Sequence, residues 1–234
     1  MLNEDLRDKL SMFDGLHLGT LGFFVVIISL LFIFRKKINN ERFEKTFRIL
    51  MGLFLLIFET SYHIWVLSRR SYSIDMIPLT GFCAMTNLLT IYALLSNKTK
   101  LFNYIIYYAL TGALLSLVFI DLTYAIPHFR YFHYFFVHFG FLLSSLYYYA
   151  TGHLEFNNKN LLKGSLCVFV YSLVVLVFDI ILDKNWFYLI ENPLKEISDS
   201  LGAPWYTILW IITIMVVTYL WYLLLKAFQK NKTN

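Results

Sequence analysis

The chain has 234 residues, 59% of them apolar and 19% aromatic, with only 15% charged, and its mean hydropathy is positive. A water-soluble core of this size could not enclose so much apolar surface, which excludes an ordinary soluble domain and makes lipid the expected solvent. The formal net charge of +5 sits in short basic clusters beside apolar stretches, where Lys and Arg act as topology signals, so no nucleic-acid partner is expected.

The first stretch, Met1 to Gly15, carries Glu4, Asp5, Asp8 and Asp14. It lacks the basic start of a signal peptide. Apolar runs of about 20 residues, enough to cross hydrocarbon at about 1.5 Å per residue, then follow at 16–34, 47–67, 76–95, 101–119, 131–150, 161–182 and 205–226. The pattern predicts an all-α membrane protein, a seven-transmembrane-helix bundle forming a single polytopic domain over 1–234. Short connections such as Ser96 to Lys100 leave no room for a second domain and force successive helices antiparallel. The longer one, Asp183 to Pro204, holds aromatic residues from Trp186 and then an acidic stretch, which predicts a short interfacial segment over 186–200.

Lys and Arg number seven in one alternating set of loops and thirteen in the other. The richer set is expected in the cytoplasm, which places the N-terminus outside and the C-terminus inside a multi-pass protein of the cell membrane. Cys83 and Cys167 lie in apolar segments and are expected as free thiols.

Ionisable groups inside a membrane helix cost a few kcal/mol each, so those retained face a bundle interior or a watery cavity. His17, Glu59, His63, Cys83, Asp121, His128, Arg130, His133, His138 and Asp179 all map to one side of the bilayer. The end of an even helix and the start of the next odd one share a side whichever way the chain inserts. The opposite half is expected to be nearly free of such groups, with Lys163 near enough to the edge to snorkel. Cys83 and His138 each lie roughly 10 Å inside the boundary, and Glu59 near the same level. His63 stands one turn nearer water on the face of Glu59 and is placed to bond it. Polar stripes run through Thr80, Cys83, Asn87 and Thr90 on the third span and Tyr131, Tyr134, His138 and Ser145 on the fifth.

Several chemistries fit this set. Cys83 acts as a nucleophile if His138 or His63 takes its proton, or else it is a small residue easing helix packing. Zinc held by His63, His138 and Glu59 or Asp121 is an alternative. However, His133 and His138 diverge by about 140° on a helix and no H-x-x-x-H is present, so no metal or cofactor is assigned. Arg130 and His128, in the basic aromatic string Ile126 to Tyr134, suit a lipid phosphate. The run Tyr147-Tyr148-Tyr149 reads as an aromatic belt.

The acid-bearing segment Phe58-Glu59-Thr60-Ser61-Tyr62-His63-Ile64-Trp65, the segment Ile77-Pro78-Leu79-Thr80-Gly81-Phe82-Cys83, and the stretch from Pro127-His128-Phe129-Arg130 to Val137-His138-Phe139-Gly140 together resemble the YwaF family of bacterial membrane proteins, related to animal transmembrane protein 164. The resemblance covers about half the chain. It implies seven spans and an acyltransferase that moves fatty acyl chains between phospholipids through a cysteine acyl-enzyme, with Cys83 as nucleophile and His138 as base. Glu59 would then orient His63 or a water, and Asn87 or Arg130 would stabilise the oxyanion. His128, His133 and Asp121 complete the expected substrate-binding set. The leading expectation is thus a membrane-embedded acyltransferase or lipid-acyl hydrolase working on phospholipids in the outer leaflet. The alternatives are a non-catalytic carrier using the same cavity and a zinc-dependent membrane hydrolase.

Overall fold

A computed structural model describes residues 10–69, 73–74, 81–120, 122, 124–191 and 195–230, the side chains at 195, 197 and 230 aside. Among these residues the chain is helical, with no strand. The helices are α1 (Gly15–Ile38), α2 (Glu41–Ser68), α3 (Phe82–Leu95), α4 (Phe102–Val118, led in by the 3-10 turn Thr99–Leu101), α5 (Phe129–Ala150), α6 (Asn158–Leu182), α7 (Lys195–Leu201) and α8 (Trp205–Lys230). Every expected apolar stretch carries a helix.

Five of them, α1, α2, the Thr99–Val118 segment, α6 and α8, are long and apolar enough to cross a membrane. Helix α3 has only 14 described residues. Helix α5 is long enough, but Arg130, His133, His138 and its tyrosines make it polar for a span.

Local chemistry sets the boundaries. The Asp14 carboxylate caps α1 by accepting from the backbone N–H of His17 at 2.8 Å and of Ser11 at 2.9 Å. These two bonds, His17 first, hold its pKa below the usual carboxylate value. The cap therefore contributes above the ordinary carboxylate range and is lost as pH falls through the lowered value. Arg35, Lys36 and Lys37 close α1 at its negative dipole end. Asn40 caps α2 and Asn157 caps α6 in the manner of Asp14.

The helices group into two compact units, residues 1–72 with 86–154 and residues 73–85 with 155–234. In the first, α5 is the hub, packing on α1, α2 and α4. Phe24 of α1 stacks flat on Phe139 at 4.0 Å, and the Thr20 hydroxyl bonds that of Tyr131. Phe54 and Phe58 of α2 meet Phe136 at 6.1 and 5.7 Å. Helices α2 and α5 touch closely at Gly140, where a Cβ would stand 2.6 Å from Leu55 Cδ2. On the α4 side, the Tyr134 hydroxyl donates to the Ser116 carbonyl at 2.7 Å.

His17 belongs to this framework. It is fully buried, accepts from the Phe13 N–H at Nδ1 (2.9 Å) and donates from Nε2 to the Leu117 carbonyl at 2.7 Å, fastening the start of α1 to the end of α4.

Two expectations are corrected in this unit. Tyr147 and Tyr148 are fully buried, not an interfacial belt: Phe47 packs on Tyr147 at 4.3 Å, Phe102 stacks on Tyr148 at 4.6 Å, and the Tyr148 hydroxyl donates to Glu44 Oε1 at 2.8 Å. Nor is the half opposite Glu59 free of ionisable groups. Arg48 pairs with Glu44 one turn earlier at 3.7 Å and donates to the Leu94 carbonyl at 2.6 Å. Positions i and i+4 share a helix face, and for Glu44 and Arg48 that face is turned inward.

In the second unit, α8 packs on α6 and α7. Val175, Ile211, Phe187 and Leu189 form its buried cluster, with Phe82 stacked on Phe187 at 5.0 Å. The aromatic connection after α6 thus reaches inward at Phe187 and Leu189, and among the described residues of 186–200 the helical ones are those of α7. Three α8 donors satisfy its carbonyls: Tyr206 bonds Tyr188, Thr207 bonds Leu189 and Trp210 bonds Phe187, at 2.7, 2.7 and 3.1 Å. Asp179, fully buried, accepts from the Trp186 N–H at 3.0 Å and so fixes the exit of α6.

Candidate functional site

Helices α2, α3 and α5 bring polar side chains together at one end of the first unit. Glu59 is buried; its Oε1 faces His63 Nε2 at 3.3 Å and its Oε2 accepts from Asn87 Nδ2 at 2.8 Å. The expected Glu59–His63 bond, one turn apart on α2, is present. Asn87 is fully buried, and its Oδ1 has no partner.

The first turns of α5 supply the cation. Arg130 lies over the Tyr62 ring, 4.5 Å from its centroid, and its Nη1 donates to His133 Nδ1 at 3.0 Å. His133 stacks on the same Tyr62 at 4.6 Å. Glu59, Tyr124 and Tyr134 lie within electrostatic reach of Arg130, and His63 and His138 within reach of His133.

Hydrogen bonding assigns the imidazole tautomers, because a guanidinium or a peptide N–H only donates and a carbonyl only accepts. His133 accepts at Nδ1, so its proton is on Nε2, a buried donor with no partner. His138 does the reverse: Nδ1–H donates to the Tyr134 carbonyl at 2.7 Å, leaving Nε2 with its lone pair. His128, fully buried, accepts the Arg130 backbone N–H at Nδ1 (3.1 Å) and stacks on Tyr124 at 4.1 Å. It is the cap of α5.

Cys83 is a half-buried thiol in no disulfide, in the first turn of α3. On that helix it stands one turn before Asn87 and shares its face. Cys167 is free and exposed on α6. Asp121 lies outside the described residues. Among those described, no three His, Cys, Asp or Glu side chains gather as metal ligands, so zinc on Glu59, His63 and His138 has no support in the geometry.

The sequence reading missed Tyr62, the plate beneath both Arg130 and His133, and Trp65, whose Nε1–H is buried without a partner. Both sit on α2 at steps of three from Glu59, and that spacing was the available signal.

The model of the TMEM164 family matches residues 12–225 of this chain. The chain belongs to the TMEM164 family. With several apolar helices, this member is a multi-pass membrane protein. The relation to transmembrane protein 164 seen in the segments around Glu59, Cys83 and His138 is thereby extended to nearly the whole chain. No curated protein and no solved structure matches it.

Proposed function

We propose that this TMEM164-family member is a seven-span cell-membrane enzyme, N-terminus outside and C-terminus in the cytoplasm, that moves or hydrolyses phospholipid acyl chains in the outer leaflet. Cys83 supplies the nucleophile and His138 the base. Helices α3 and α5 are the sixth and seventh spans beside the five that are apolar by composition. The observation that carries the reading is the His138 tautomer: tied at Nδ1 to the Tyr134 carbonyl, the ring offers Nε2 as a proton acceptor. Family membership and the half-buried Cys83 thiol, in no disulfide, support it.

The chemistry balances without a cofactor. His138 Nε2 takes the thiol proton, and the thiolate adds to an ester carbonyl of the donor lipid. As the carbon–oxygen bond breaks, the lysolipid alkoxide leaves with the proton from His138. The thioester then passes its acyl group to an acceptor hydroxyl, or to water in the hydrolytic case, and His138 takes the acceptor's proton. Asn87 is the donor for the oxyanion, and Glu59 holds His63 and Asn87 in place.

The test is acyl transfer from a labelled phospholipid by purified protein in mixed lipid. Cys83→Ala is expected to lose activity by roughly a thousandfold or more, as for loss of a covalent nucleophile, and His138→Gln by about a hundredfold or more. Full activity in Cys83→Ala would remove the covalent mechanism and leave the carrier reading, which needs only the Glu59 and Arg130 end.

A further inference from the structure

Among the described residues Arg130 is a cation with no carboxylate in ion-pair range. Glu59, the acid acting on it from a distance, already has both oxygens engaged by His63 and Asn87. Of the guanidinium's N–H donors, one is spent on His133, and the group lies over the Tyr62 ring. His133, with 9% of its surface exposed, carries the buried unpartnered Nε2–H. Its ring is fixed between Tyr62 and Phe129, at 4.6 and 5.9 Å. The two donor groups are therefore adjacent, oriented by their surroundings and short of an acceptor. A buried donor left unsatisfied costs about 1–3 kcal/mol, so the fold carries this arrangement at a loss unless a ligand fills it.

We propose that Arg130 and His133 bind the phosphodiester oxyanion of a lipid headgroup. The pair offers one positive charge and one neutral N–H, which matches the single charge of a phosphodiester. The second charge of a phosphomonoester would meet Glu59 unopposed. The two non-bridging oxygens of a phosphodiester, held apart at a tetrahedral phosphorus, give one acceptor to the guanidinium edge and one to the imidazole N–H. The site lies in the first two turns of α5 against the last turns of α2, among Tyr62, Trp65 and Phe129, the depth and ring chemistry of a headgroup layer. A phosphodiester held there would place a phospholipid for the proposed acyl reaction, yet binding itself needs neither Cys83 nor His138.

The test uses full-length protein in a non-ionic, phosphate-free detergent, with dihexanoylphosphatidylcholine as probe. Dihexanoylglycerol, which has the same tails without phosphate, and inorganic phosphate are the comparison ligands. Tryptophan fluorescence reads binding, and the melting temperature reads folding. Saturable binding of the phosphodiester lipid is expected, with the other two binding at least tenfold more weakly. Arg130→Gln should weaken the lipid roughly tenfold or more, and His133→Phe severalfold. His133→Gln, which keeps a side-chain N–H, should recover part of the loss, and Cys83→Ala should bind as the native chain does. Equal binding of dihexanoylglycerol, preference for inorganic phosphate, or an unchanged affinity in a folded Arg130→Gln protein would each overturn the proposal. Because Cys83→Ala binds and does not react, failure of the acyl chemistry and failure of this site give different results.

Discussion

Helix α2 carries two inward acids, Glu44 near its start and Glu59 about 22 Å further along at 1.5 Å per residue, and their surroundings differ. Around Glu44 each charge meets a partner, Arg48 across one turn, the Tyr148 hydroxyl on the carboxylate and the Leu94 carbonyl on the guanidinium, and the Arg48 Nε alone makes no hydrogen bond. Around Glu59 the bonds to His63 and Asn87 leave over the Asn87 Oδ1, the His133 Nε2–H, the Trp65 Nε1–H and the Arg130 charge. A closed polar network ties α2, α3 and α5 together. The open network is costlier to the fold, and the ligand proposed above would offset that cost.

Removing a partner therefore should cost most at the closed end. Arg48→Met leaves the Glu44 carboxylate half-buried without its cation and should destabilise the protein by about 3 kcal/mol, read as a fall in melting temperature. Tyr148→Phe removes one charge-assisted hydrogen bond from the same carboxylate and should cost about 1.5 kcal/mol. At the open end, Trp65→Phe deletes a buried N–H that nothing accepts while keeping the ring packing, so stability should change by only about 0.5 kcal/mol. If Trp65→Phe proved as costly as Arg48→Met, the contrast between the two ends would be lost.

The two ends were unequally legible in the sequence. Glu59 and His63, at i and i+4 within an apolar span, announced themselves, because a charge there needs a reason to persist. Glu44 and Arg48 have the same spacing but sit where a span meets a basic loop, so the positive-inside pattern absorbed them. Tyr147 and Tyr148 went the same way: near a helix end an aromatic run looks like a belt, and only the packing of Phe47 and Phe102 shows it to be core. The histidine roles were not legible at all. His17, His128, His133 and His138 differ by which ring nitrogen a neighbouring backbone group or Arg130 occupies, and that depends on contacts made after folding. The helices themselves were plain throughout, since about 20 apolar residues in lipid have few alternatives to a helix.

The central claim is that the open end serves a covalent acyl reaction at Cys83, and the most direct measurement is the intact mass of the purified protein after incubation with a short-chain phospholipid. A mass increase of one acyl group is expected, removed by neutral hydroxylamine as a thioester is, and lost in Cys83→Ala. Turnover of the lipid with no such adduct at any time, or the same adduct in Cys83→Ala, would contradict it.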